Sequence, residues 1–143
     1  MKRNNAKYLE NFFGLKNKKI IITGCSGQLG MSLVNAFLNC GCTVIGLDLK
    51  KSRKKLGKNF FYYQLDVSDH EENNLVFEKI FKNHKEVDCL INNVGVAVFQ
   101  PFTKRSENEL DFVTNVNLKS YIYSIKNFYK KSKKSKTKSI INV

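Results

Sequence analysis

The sequence predicts an α/β fold built on a doubly wound parallel sheet, and three observations predict it. Ile20, Ile21 and Ile22 form an unbroken β-branched run, the mark of a strand buried on both faces. Gly24, Gly27 and Gly30 follow at once, and Leu29, Leu33, Val34, Phe37 and Leu38 then recur at helical spacing. From there to the end, short apolar runs alternate with helical patterns, with longer polar links at two points.

The elements read in order as follows. Residues 1–18 are a lead-in, with a helical turn over Asn5 to Phe13 that lays Leu9, Phe12 and Phe13 on the domain, and 19–143 form the domain itself. The first strand is Lys19 to Thr23. The first helix runs from Gln28 to Asn39 and is broken by Gly41. Thr43 to Asp48 is the second strand. Lys50 to Lys58 holds six basic residues in nine and reads as a solvated loop where a crossover helix normally stands. Phe60 to Asp66 is an aromatic-rich third strand. Ser68 or Asp69 caps a helix from His70 to Asn83, with Leu75, Val76, Lys79, Ile80 and Phe81 near one side. Val87 to Asn92 is the fourth strand, followed by a loop that holds the only proline, Pro101. Ser106 caps a long helix from Glu107 to Tyr129. Its inner face takes Leu110, Val113, Val116 or Asn117, Ser120 or Tyr121, Ser124 and Phe128. Lys130 to Lys138 is a basic loop without an acid, and Ser139 to Val143 opens a fifth strand.

The glycine stretch carries the chemistry. A strand, a tight turn and a helix N-terminus bring backbone N–H groups and the positive end of a helix dipole to one point, where a pyrophosphate can be held. Each glycine is expected to serve: the turn, the close approach of the phosphate, and the packing of helix on strand. Three spaced glycines also describe an ordinary turn, so the context decides. Asp48 ends the second strand 18 residues after Gly30, close to where a dinucleotide fold places the carboxylate that takes ribose hydroxyls. Gly24, Asp48, Asp66 and the pair Asn92-Asn93 all fall at carboxyl ends of strands, where such folds keep their crevice.

Composition narrows the alternatives. A hydrophobic fraction of 42% in 143 residues supports one domain with a core. No apolar run reaches a membrane-spanning length, and Glu10 and Asn11 interrupt Tyr8 to Leu15, so no signal peptide is read and a cytoplasmic location is expected. Cys25, Cys40, Cys42 and Cys89 form no C-x-x-C pair, and His70 and His84 add no cluster, so no metal site is expected and the thiols read as buried and reduced. The net charge of +13 raises the question of nucleic acid. The excess is Lys, alongside much Asn and only three Arg, at positions 3, 53 and 105. That bias fits an AT-rich coding sequence rather than base reading, so no nucleic-acid partner is expected.

With these residues in view, the chain resembles the short-chain dehydrogenase/reductase family over nearly its whole length. Asp66-Val67 matches the family's pair beside the adenine. N-N-V-G at 92 to 95 matches its N-N-A-G, V-N-L-K at 116 to 119 its long-helix motif, and I-I-N-V at 140 to 143 the strand that leads to the catalytic Ser. The resemblance implies a Rossmann-like sheet, incomplete on its carboxyl-terminal side. It implies a dinucleotide held by Thr23, Gly24, Ser26, Gly27, Gly30, Asp48, Asp66, Val67, Asn93, Val94 and Gly95. Asn117 is its supporting catalytic residue, acting on the family's Lys through a water. The parent reaction would interconvert a small carbonyl or alcohol substrate by hydride transfer, in a homo-oligomer. Asp48 favours NAD, while Lys50, Lys51 and Arg53 leave NADP possible.

Two departures from the family pattern matter. Gln28 stands where the compact subgroup has its middle glycine. Gly27 instead gives T-G-x-x-G-x-x-G, the spacing of the extended, nucleotide-sugar-modifying subgroup. N-N-V-G and V-N-L-K favour the compact form. The chain also ends before the family's catalytic Ser and Tyr-x-x-x-Lys, so it is expected to be truncated and inactive alone, or a non-catalytic nucleotide-binding remnant. Tyr129 and Lys133 spell Y-x-x-x-K, but they precede the fifth strand and lie at the far end of the long helix, so the match is read as chance.

Overall fold

A computed structural model describes residues 13–50, 56–133 and 138–143. The expected helical turn of the lead-in lies outside these except for Phe13, which is exposed rather than laid on the domain, as do the centre of the first basic run and four residues of the second. Strands β1 (Lys19–Thr23), β2 (Thr43–Asp48), β3 (Phe60–Gln64), β4 (Cys89–Asn92) and β5 (Ser139–Asn142) form one sheet in the order β3-β2-β1-β4-β5. Every neighbouring pair is parallel. Helices α1 (Gln28–Asn39) and α2 (His70–His84) follow β1 and β3. A long helix follows β4, built of α3 (Glu107–Thr114), a π turn (Asn115–Lys119) and α4 (Ser120–Lys131).

The isoleucine run shows why the sheet is covered twice. Side chains alternate along a strand. Ile20 and Ile22 pack with Val34 of α1, Val44 and Ile91 on one face. Ile21 packs with Ile45, Phe77 and Ile80 of α2, Leu90, and Phe128 of α4 on the other. Two helical layers sandwich a sheet whose central strands are apolar on both sides, as buried parallel sheets require. The near end of the lead-in is latched to this body. Asn17 donates its N–H to the Gly41 carbonyl at 3.0 Å, and Leu15 packs on the α1 side of the sheet.

Several boundaries differ from the sequence reading. The third strand ends at Gln64 rather than Asp66. The fourth begins at Cys89 rather than Val87; just before it the Asp88 carboxylate takes the Lys19 N–H at 2.9 Å and pairs with the Lys18 ammonium at 3.0 Å. In α2 the inner face is Asn73, Phe77, Ile80 and His84, and Leu75 is 62% exposed. Asp69, not Ser68, caps this helix, accepting the Glu71 and Glu72 N–H groups. Ser106 caps α3 as expected, in a reciprocal box with Glu109.

The largest departure is the π turn. The sequence reading carries one α-helical period from Leu110 to Phe128. The extra residue lies at Asn115–Lys119; Val116, Ser120, Ser124 and Phe128 are buried as expected and Asn127 joins them, whereas no residue of α3 is buried and Leu110 is exposed. The polar members of that face are satisfied. Asn73 of α2 donates to the Ser124 hydroxyl and accepts from the Asn127 amide, both at 3.0 Å.

Candidate functional site

The strand ends named from the sequence come together at the carboxyl edge of the sheet. β1 delivers Thr23 into a turn at Gly24, whose φ of +65° is the left-handed region open to glycine. A Cβ on Gly24 would also lie 3.0 Å from the Val94 backbone. The turn closes through the Gly27 N–H on the Gly24 carbonyl at 3.2 Å, and is tied to β2 by the Cys25 N–H on the Leu47 carbonyl. Cys25 points inward and packs over Gly46, where an added Cβ would stand 2.6 Å from its sulfur. Burial, then the Asp48 charge, outweigh the Ser26 hydroxyl and push this thiol up to about 11. Cys25 is therefore a plug beneath the loop and not a nucleophile at neutral pH.

The three glycines divide by what requires them. Gly24 and Gly30 are required by the protein itself; a Cβ on Gly30 would stand 2.0 Å from the Gly24 carbonyl oxygen. Gly27 has an extended backbone, and its Cβ would make only an ordinary contact of 3.4 Å. Gly27 begins α1 with no side-chain cap, and the first turn holds no acidic residue. The orphan N–H groups of that turn and the helix dipole thus face the loop with no side-chain anion competing for them.

Asp48 is oriented by backbone amides. One carboxylate oxygen accepts the Ser26 N–H at 2.9 Å and the other the Lys50 N–H at 3.0 Å. The Tyr62 hydroxyl braces the same corner, touching the carbonyls of Asp48, at 2.8 Å, and Lys50. Among the described residues each carboxylate oxygen has one backbone amide donor, and its second lone pair can take another. Beyond Asp48 lies a cleft of about 140 Å³. Leu49, Val67, Val94, Phe112 and Val116 supply its apolar lining, and Asp48, Asp66 and Ser68 its polar edge. Asp66 is fixed there: its side chain accepts the Ser68 N–H at 3.0 Å and hydroxyl at 2.6 Å, and its own N–H donates to Glu72 at 2.8 Å.

The N-N-V-G segment is sewn to β1. The Asn93 amide donates to the carbonyls of Thr23, at 3.0 Å, and Gly24, at 3.2 Å. The buried Thr23 hydroxyl oxygen accepts the Asn93 and Val94 N–H groups at 3.0 and 3.2 Å. Gly95 follows, exposed. Asn117, within the π turn, then grips Val96 as a neighbouring strand would: its side-chain oxygen accepts the Val96 N–H at 2.9 Å, and its side-chain nitrogen donates to the Val96 carbonyl at 2.8 Å. Single π turns in α-helices often mark functional sites.

Every residue expected at the site therefore lies along this edge or its loops. Tyr121 belongs with them and the sequence reading gave it no role beyond the helix face. Its hydroxyl donates to the Val94 carbonyl at 2.8 Å and lies 3.2 Å from that of Val143, so it spans the exits of β4 and β5. Burial raises its pKa. Its place four residues after Asn117, one helical turn on, was the available signal. Tyr129 is 69% exposed, and Lys133 lines a hollow with Lys19 and Lys85 at the opposite, amino-terminal edge of the sheet, so this pair stays clear of the crevice. Among the described residues no helix is long and apolar enough to cross a membrane, and no His, Cys, Asp and Glu group of three or more could hold a metal ion.

Comparison with known proteins agrees with this geometry. The family model for short chain dehydrogenase matches residues 18–143. A 2-dehydro-3-deoxy-D-gluconate 5-dehydrogenase from Dickeya dadantii is 29% identical over 119 residues, 79% of this chain and 47% of that protein. The ligand-free aldohexose dehydrogenase of Thermoplasma acidophilum superposes with a TM-score of 0.84 at 26% identity, covering 90% of this chain and 49% of that one. A short chain dehydrogenase from Leptospira borgpetersenii, solved with bound NAD+, gives a TM-score of 0.78 at 32% identity, covering 89% and 51%. The chain spans about half the length of these relatives.

Proposed function

The chain belongs to the short-chain dehydrogenase family, and we propose that its carboxyl-edge crevice binds a nicotinamide dinucleotide, NAD in preference to NADP, for an oxidoreductase that interconverts carbonyls and alcohols. The observation that carries the reading is Asp48, a carboxylate oriented by two backbone amides beside an uncapped helix start free of acid. In this reading Gly24, Ser26, Gly27 and Gly30 shape the loop that takes the pyrophosphate, and Gly27 leaves room where a side chain would intrude. Asp48 takes the ribose hydroxyls. Asp66 and Val67 meet the adenine in the cleft. Thr23, Asn93, Val94 and Gly95 form the wall beside the second ribose. A bound nicotinamide supplies the hydride donor or acceptor. Asn117 holds that wall through Val96 and supports the family's proton-carrying Lys through a water. The substrate is a small carbonyl or alcohol, and the assembly is a homo-oligomer.

A carboxylate beside the ribose would repel a 2′-phosphate, and removing its charge tests the preference. Asp48→Asn keeps most of the local bonding and removes the charge. Titration calorimetry should show NAD affinity falling about tenfold, the equivalent of a charge-assisted hydrogen bond, while NADP affinity holds or rises. An unchanged ratio of the two affinities would remove Asp48 as the selector.

Among the described residues at the crevice, the Tyr62 and Tyr121 hydroxyls are both committed to backbone carbonyls, and neither stands in for the family's acid/base Tyr. The polypeptide by itself is therefore expected to bind NAD without oxidising alcohols or reducing carbonyls, read as the absence of NADH formation or consumption. Turnover that survives Tyr129→Phe would reveal another proton carrier. Turnover abolished by it would give Tyr129 the role denied here.

A further inference from the structure

At the π turn the Ser120 N–H reaches back five residues to the Asn115 carbonyl. In an α-helix it would bond Val116. The Ser120 amide is thus turned away from the Val116 carbonyl, and Val116 and Ser120 are both buried. A buried carbonyl without a donor is destabilising by much of its desolvation. The Ser120 hydroxyl supplies the donor, 2.6 Å from the Val116 oxygen. A mid-helix serine commonly adds a back-bond to a carbonyl that keeps its own i+4 amide; here the same residue's hydroxyl meets the carbonyl that its amide has left.

Both flanks of the turn are pinned. The Ser106–Glu109 capping box fixes the start of α3, and the bonds of Asn73 to Ser124 and Asn127 fix α4 against α2. The extra residue must be absorbed between them, and Asn117 sits within that interval, gripping Val96 at both of its backbone groups. We propose that Ser120 is the positioning residue of this site: its hydroxyl sustains the π turn, and the π turn aims the Asn117 amide at Val96, which sets the loop after N-N-V-G. Without the hydroxyl, the simplest repair returns the Ser120 N–H to Val116 and turns Asn117 away from Val96. The functional weight of this device rests on reading that loop as a wall of the dinucleotide site, but its structural test does not.

The test is hydrogen exchange followed by NMR on the 143-residue chain without nucleotide. The Val96 N–H is bonded to the Asn117 side chain, whereas Leu90 lies within β4 and reports the sheet. In Ser120→Ala, Val96 should exchange about tenfold faster relative to Leu90, the loss of roughly one hydrogen bond. Ser124→Ala, one turn on and equally buried, should lower the melting temperature and leave that ratio unchanged. A Ser120→Ala chain that keeps its Val96 protection overturns the proposal. Should that variant not fold, the unmutated chain decides: the Ser120 hydroxyl proton should exchange slowly enough to be observed, unlike that of the exposed Ser32. A Ser120 proton exchanging as freely as that of Ser32 overturns the proposal too. NAD titration of Ser120→Ala separates the two layers: lost Val96 protection with unaltered NAD affinity upholds Ser120 and instead sinks the loop as part of the nucleotide site.

Discussion

Gly30→Ala should fold poorly and lose nucleotide binding altogether. On helix propensity alone the change is favourable, by about 1 kcal/mol. Sterics reverse it. The new Cβ would lie 2.0 Å from the Gly24 carbonyl oxygen, 2.9 Å from its carbon and 3.0 Å from the Asn93 amide nitrogen. Two of those atoms are backbone, so no rotamer change relieves the overlap. Either α1 lifts from the strand end, or the Gly24 peptide leaves Asn93. Each route costs about 3 kcal/mol, the upper part of the usual range for overpacking, and each breaks the loop. Denaturant unfolding should show that loss of stability, with no NAD binding by calorimetry. Gly27→Ala is the informative partner, because its Cβ meets only the Gly24 oxygen at 3.4 Å. It should unfold like the unmutated chain yet bind NAD more weakly. A Gly30→Ala chain with normal stability and affinity would mean that helix and loop are not packed as described.

Phe128→Ala should be the most damaging core truncation in the long helix. The side chain is fully buried beside Phe81, their ring centroids 6.1 Å apart, and it joins α4 to the face of the sheet that holds Ile21 and Leu90. Emptying such a site costs about 3–5 kcal/mol, transfer and cavity together. A domain with about 5–15 kcal/mol in all would lose a large share of it. The adjacent Tyr129→Ala should change stability by no more than about 0.5 kcal/mol, since its ring is largely in solvent. Chemical denaturation of the two variants side by side is the measurement. Similar losses from both would place the buried face of α4 one residue away from where it is described.

The site was legible where local chemistry fixes it. The strand–glycine–helix unit runs over consecutive residues, so β1, α1 and β2 have the bounds that the residue pattern implies. Asp48 and Asn93 could be singled out as candidates because strand ends bring chemically distinct residues to one edge. The inner faces of the later helices were harder to read. In α2, Leu75 is the more hydrophobic choice, but Asn73 is inside because Ser124 and Asn127, some fifty residues on, satisfy its amide. No periodicity confined to one helix contains that partnership. The π turn was missed for a related reason. Its extra residue is sustained by a hydroxyl-to-carbonyl bond and by pinning at both flanks, and a serine among apolar residues does not by itself announce a change of period. Tyr121 shares that fate, since its partners Val94 and Val143 are distant in sequence.

The π turn also makes this stretch unusually exposed to one kind of genetic change. Elsewhere in a packed helix, loss of a single codon rotates everything beyond it by about 100° and drives buried side chains into water. Between Asn115 and Lys119 the helix already carries one residue more than an α-turn needs. An in-frame deletion of the exposed Leu118 would leave α3 and α4 in their present phase and close the interval into ordinary helix. Such a product would keep its core and melt as a folded domain. Asn117 would no longer meet Val96, and the loop after N-N-V-G would lose its tie without any substitution in the glycine loop.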